Sequence, residues 1–150
     1  LLYITWRFEF VFGIAALSAL LHDALITISF ASILYIEINT AFVAALLTIL
    51  GYSINDTIVV FDRIRENLHN LRAGHQNISM VDLINTSLAQ TLRRTINTSV
   101  TTILVVGCLF LFGGTTIKSF TLVLLIGVLA GTYSSIFIAS PVLSLFSKKQ

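Results

Sequence analysis

Two acids and one arginine stand in runs otherwise apolar enough to cross a membrane. Asp56, preceded by Asn55, lies inside Thr40–Asp62, and Asp23, preceded by His22, lies inside Val11–Ile36. Arg94 opens a third run that ends at Phe112. An ionised carboxylate near a bilayer centre costs about 2.5–3.5 kcal/mol on insertion scales, so a chain that keeps one there needs a partner or a use for it. Counting inward from the outer ends at about 1.5 Å per residue, Asp56 lies roughly 24 Å deep, Arg94 roughly 27 Å and Asp23 roughly 20 Å. Three ionisable groups on three helices thus fall within about two helical turns of one level. An Asp56–Arg94 pair offsets most of the cost that either bears alone. A carboxylate balanced between burial and a nearby cation is also equipped to take up and release a proton. With Asn55 and Thr98 beside them, Asp56, Arg94 and Asp23 form a candidate proton path.

Plainer readings stay open. Asp56 and Arg94 can be a structural ion pair, or Arg94 can reach back to the inner interface. Arg94, Asn97, Thr98, Thr101 and Thr102 recur at three- and four-residue spacing. Threonines in membranes often bond the carbonyl four residues earlier with no further role, but a stripe that begins at an arginine suits a hydrated path. Gly127, Gly131, Ser135 and Ala139 recur every four residues. Small residues at that spacing let helix backbones approach, so Gly127, Gly131 and Ser135 read as helix packing. Asp23 and Asp56 also have the residue types of an intramembrane aspartyl protease, which needs two carboxylates sharing a proton. The lack of a G-x-G-D string and the presence of Arg94 count against it. A purely structural membrane subunit is a further alternative.

The elements that must position these groups follow from composition. Hydrophobic residues make up 56% of the chain and charged ones 11%, against about 25% charged in an ordinary soluble domain. An all-α, polytopic transmembrane bundle in the lipid bilayer is expected, with no soluble domain. The spans read as Val11–Ile36, Thr40–Asp62, Arg94–Phe112 and Ser119 to about Phe146, preceded by Leu1–Trp6 as the last turns of an earlier helix. Asn39 or Thr40 is a fitting N-cap for the second span. Ile64, Leu68 and Leu71 carry helical spacing past the membrane until Ala73-Gly74 stops it. Ser79-x-x-Asp82 resembles a capping box. The stripe Val81, Ile84, Leu88, Leu92 then reads as an amphipathic helix at the membrane interface or as a pre-span helix docked on its neighbours. Gly113-Gly114 ends the third span.

Basic residues set the orientation. Arg7, Arg63, Arg65, Arg72, Arg93, Arg94, Lys148 and Lys149 gather on one side, and Lys118 alone on the other. Residues 63–78 and the C-terminus are therefore expected in the cytoplasm. The cations form no continuous face, so a net charge of +2 predicts no nucleic-acid partner. No spacing of His, Cys and acids suits a metal, and no Ser-His-Asp grouping or phosphate loop is present, so neither enzyme chemistry nor a cofactor is expected. His22 is a proton carrier or a hydrogen-bonded structural histidine. Cys108 reads as a packing residue.

The string G-Y-S-I-N-D-T-I-V-V-F-D-R-I-R-E-N over Gly51–Asn67 resembles the fourth transmembrane helix of the SecF family, membrane components of the bacterial SecDF protein-export complex and relatives of the resistance-nodulation-division transporters. R-F-E at Arg7–Glu9, L-L-H-D at Leu20–Asp23 and T-L-R-R-T-I-N-T-S at Thr91–Ser99 are similar to further landmarks of that family. The resemblance covers essentially the whole chain. It implies that residues 1–150 are one membrane domain, from the end of the family's second span to its sixth, with the extracytoplasmic domain outside it. It implies SecD, the SecYEG channel and exported unfolded polypeptide as partners, a place in the bacterial inner membrane, and use of the proton gradient. The family's proposed proton-path residues map to Asp56 and Arg94.

Overall fold

The structure, a computed structural model, describes residues 10–73 and 79–147. Leu1–Trp6, the landmark at Arg7–Glu9, the stop at Gly74 and the tail lysines lie outside the described residues. Helix α1 spans Phe10–Ile33, α2 Thr40–Ala73, α3 Met80–Phe112 and α4 Gly114–Ser134. A π-helical turn, Ser135–Ala139, joins α4 to α5, Ser140–Ser147. The described residues contain no strand, and four helical segments are long and apolar enough to cross a membrane: Val11–Ile33, Thr40–Leu71, Met80–Phe112 and Gly114–Ser144. The expected all-α bundle with four full spans is what folds.

Local chemistry accounts for the helix ends. Ile36 N–H reaches Ala31 O at 2.9 Å across Tyr35, which takes φ 52°. That is a six-to-one closure with a left-handed residue where glycine is usual, and it ends α1 before Ile36. Asn39 Oδ1 accepts the Phe42 N–H at 3.0 Å, making Asn39 the N-cap of α2. Ser79 caps α3: its Oγ accepts the Asp82 N–H at 3.2 Å and donates to Asp82 Oδ2 at 2.6 Å. Two further boundaries differ from the sequence reading. The segment after Ser79 is the first part of α3 itself, because no breaker separates it from Arg94 and its apolar residues find partners. Leu83 and Ile84 are buried against Phe61, Ile64 and Leu143, while Asn67 donates to Ser87 Oγ and Gln90 Oε1 at 2.8 and 2.9 Å. The outer turn is also shorter than Gly113–Lys118. Gly114, at φ +71°, reverses the chain at once, so residues 115–118 are already helical.

Helix α4 packs on α1, α2 and α3. The row Gly127, Gly131, Ser135, Ala139, Leu143 is buried along it. A strict spacing of four drifts by about 40° per step on an α-helix of 3.6 residues per turn. The wider π turn takes up that drift and keeps the row facing inward. Pro141, which lacks an N–H and crowds the carbonyl four residues back, follows one residue after it. Two apolar clusters result. One gathers Phe12, Ala15, Ala19, Val60, Phe61, Ile64, Leu83 and Leu143; the other gathers Ala31, Phe42, Ala45, Ile49, Val106, Val123 and Leu124. On α1, α2 and α3, the buried residues between these clusters are polar.

Candidate functional site

The polar layer is built from hydroxyl residues that helical spacing turns inward. On α3, Ser87, Thr91, Thr95 and Ser99 recur every four residues and are all buried. On α2 the buried polar residues are Ser53, Asp56 and Thr57; on α1 they are Asp23 and Thr27. Gly127 and Gly131 bring α4 close to α2. A Cβ at Gly127 would overlap Ile49, and one at Gly131 would stand 3.2 Å from Ser53 Cβ. That approach delivers the next turn, Ser134 and Ser135, to the two acids.

Asp56 is 7% exposed. Its Oδ1 accepts from Thr95 Oγ1 at 3.1 Å and its Oδ2 from Ser135 Oγ at 3.0 Å, so one carboxylate ties α2 to α3 and to the π turn. Asp23 is fully buried. Its Oδ2 accepts from Ser53 Oγ and, at 2.8 Å, from Ser134 Oγ. Its Oδ1 lies 3.2 Å from His22 Nδ1, and Thr27 Oγ1 donates to its backbone carbonyl at 2.7 Å. Beside the acids, Ser99 Oγ meets Thr132 Oγ1 at 2.7 Å and Tyr52 OH at 3.1 Å. Thr132 already donates to Val128 O at 2.7 Å. Its single proton is therefore spent, and the hydroxyls order as Tyr52 to Ser99 to Thr132. Among the described residues no buried side-chain nitrogen or oxygen lacks a partner, as a dry polar layer requires.

The residues singled out from sequence divide. Asp23 and Asp56 enter the buried layer, and Ser135 joins them as a donor as well as a packing residue. Arg94 lies on the exposed side of α3. Thr98 is exposed beside it and donates to Arg94 O and Thr95 O at 3.1 and 2.9 Å. Asn97 and Thr101 share that outer face, and Asn55 is exposed on α2. Three donors were missed: Ser53, Thr95 and Ser134. The signal for Thr95 was present, because Ser87, Thr91, Thr95 and Ser99 keep strict four-residue spacing one position from the stripe that begins at Arg94. Ser53 and Ser134 carry no such signal, since each is one small polar residue in an apolar helix.

A family model described as "Protein export membrane protein SecD/SecF, C-terminal" matches residues 1–149. The chain belongs to the SecD/SecF family. Among its relatives, the protein translocase subunit SecF of Desulfurispirillum indicum is 52% identical over 138 residues, 92% of this chain and 44% of that protein. SecF of Haemophilus influenzae is 52% identical over 139 residues, 93% of this chain and 42% of that protein. SecF of Rickettsia bellii is 47% identical over 150 residues, all of this chain and 48% of that protein. A crystal structure of SecDF in a super-membrane-facing form superposes with a TM-score of 0.91 at 42% identity, covering 99% of this chain and 20% of that one. The chain thus spans less than half the length of these SecF relatives. Family membership accounts for the landmark strings, and the superposition places the same helical arrangement within a SecDF chain.

Proposed function

We propose that this chain is the membrane-spanning part of a SecF subunit that uses the proton gradient to assist protein export. The observation that carries the reading is Asp56: a carboxylate in the middle of the bundle, held by two hydroxyls, one of them from Thr95, the sequence neighbour of Arg94. Hydroxyls donate to the ionised acid and can accept from the protonated one. The site therefore has partners in both protonation states, and Asp56 and Arg94 form the path, with Asp23 behind them and Thr98 at the mouth. Asn55, exposed on α2, is the outlying member. At a potential of about 150 mV, one proton crossing the membrane supplies roughly 3.5 kcal/mol. That biases a two-state helix arrangement appreciably, and in the whole protein the arrangement would drive an extracytoplasmic domain, outside residues 1–150, that grips the exported polypeptide.

The exposed face Arg94, Asn97, Thr98 and Thr101 on α3 supports a partner. Polar groups at that depth do not face lipid unsatisfied, so SecD is the proposed cover, with SecYEG supplying the channel. The bacterial inner membrane is the proposed location, with residues 63–78 and the C-terminus in the cytoplasm. Proteolysis by the two acids is not favoured, because each carboxylate is held by its own donors, Ser53 and Ser134 for Asp23 and Thr95 and Ser135 for Asp56. The test is proton uptake by vesicles that hold the full-length protein and its partners. Asp56→Asn should abolish uptake linked to export, and uptake equal to that of the parent protein would overturn the reading.

A further inference from the structure

Ser134 and Ser135 are consecutive residues that donate to different acids. Ser134 Oγ is 2.8 Å from Asp23 Oδ2 and 3.2 Å from Gly131 O. Ser135 Oγ is 3.0 Å from Asp56 Oδ2 and 3.1 Å from Thr132 O. Each hydroxyl has one proton and two acceptors in reach, a carboxylate and a carbonyl of its own helix. Protonating a carboxylate adds a donor to it and weakens its hold on the serine proton, which then turns to the helix carbonyl. That competition falls on the turn where α4 widens into the π turn at Ser135. A π turn is one hydrogen-bond register away from an α-helix and is often found at functional sites.

We propose that Ser134 and Ser135 couple the protonation of Asp23 to that of Asp56 through the step from α-helix to π turn. Both serines are positioning residues: Ser134 acts on Asp56 only through Asp23 and the shared turn. The other charged and titratable groups around the pair are Arg94, on the outer side of α3 next to Thr95, and His22 beside Asp23, with Tyr133 of α4 near His22 at 6.2 Å between ring centroids. None of these is altered when Ser134 is changed. The functional consequence rests on the proton-path reading, but the coupling itself is a property of the bundle.

The experiment is an infrared titration of the full-length protein in lipid nanodiscs, with the Asp56 carboxyl band identified by its loss in Asp56→Asn. Ser134→Ala, which leaves both bonds of Asp56 in place, should move the Asp56 midpoint by about half a pH unit or more. Asp23→Asn, which keeps the side-chain size, should move it independently. In the Asp23→Asn background, Ser134→Ala should add nothing, because its route to Asp56 is gone. Ser134→Thr keeps the hydroxyl and should restore the parent midpoint. An Asp56 midpoint unmoved by both Ser134→Ala and Asp23→Asn overturns the coupling. So does an equal Ser134→Ala shift with and without Asp23. Loss of proton-driven export in Asp56→Asn with no such shift would defeat the coupling and leave the proton path standing. A clear shift with export insensitive to Asp56→Asn would do the reverse.

Discussion

Thr95 Oγ1 donates to Asp56 Oδ1 at 3.1 Å, and both side chains are buried. Thr98, one turn further on, is exposed and donates to carbonyls of its own helix. The two threonines therefore predict different costs on removal of a hydroxyl. Thr95→Val leaves a buried carboxylate oxygen short of a donor and should cost about 1–3 kcal/mol. Thr98→Val should stay within about 0.5 kcal/mol. Thermal unfolding in detergent, followed by size-exclusion chromatography, should show a clear drop in midpoint for the first variant only.

Close packing of α4 on α2 carries a second prediction. Gly127→Ala places a methyl group where fully buried Ile49 stands, and overpacking of this kind costs about 1–3 kcal/mol. Ile49→Ala in the same chain removes the atoms in conflict, so the double variant should recover part of the lost thermal midpoint. Additive losses would mean that α4 and α2 do not meet at this point.

Arg94 points outward from α3, so in the proposed path its charge should matter more than its planar fork. Arg94→Lys keeps the charge and loses the planar guanidinium; it should impair proton-driven export less than Arg94→Ala. Equal impairment by the two variants would point to a role for the guanidinium itself, such as a bidentate contact with the partner on the exposed face.

Topology is testable with single cysteines in a Cys108→Ser background, needed because Cys108 is itself exposed. Asn70→Cys and Thr116→Cys both lie at exposed positions. Membrane-impermeant reagents should label them from opposite sides of sealed vesicles, with Asn70→Cys on the cytoplasmic side. Labelling of both from one side would contradict the assigned orientation.

Much of this arrangement was legible in the sequence because membranes punish ambiguity. The long apolar runs fix the spans, Asn39 and Ser79 announce helix starts, and the depth count places Asp23 and Asp56 at one level. Rotation about each helix axis was harder to read. A stripe starting at Arg94 drew attention to Thr98, yet the inward stripe lies beside it at Thr95, because packing against α2 and α4 and not polarity alone decides which face turns in. Ser134, and the donor role of Ser135, escaped for a related reason. Their role depends on how far Gly131 lets α4 approach Ser53 and on the π turn that follows, and both are products of tertiary packing.

The proposed role of Asp56 protonation in assisting export is tested most directly by measuring export into vesicles against an imposed proton gradient. The full-length protein carrying Asp56→Asn should assemble in the membrane and support only the export rate seen without a gradient, flat as the gradient grows. A rate that rises with the gradient as steeply as in the parent protein would make Asp56 a structural residue and contradict the account.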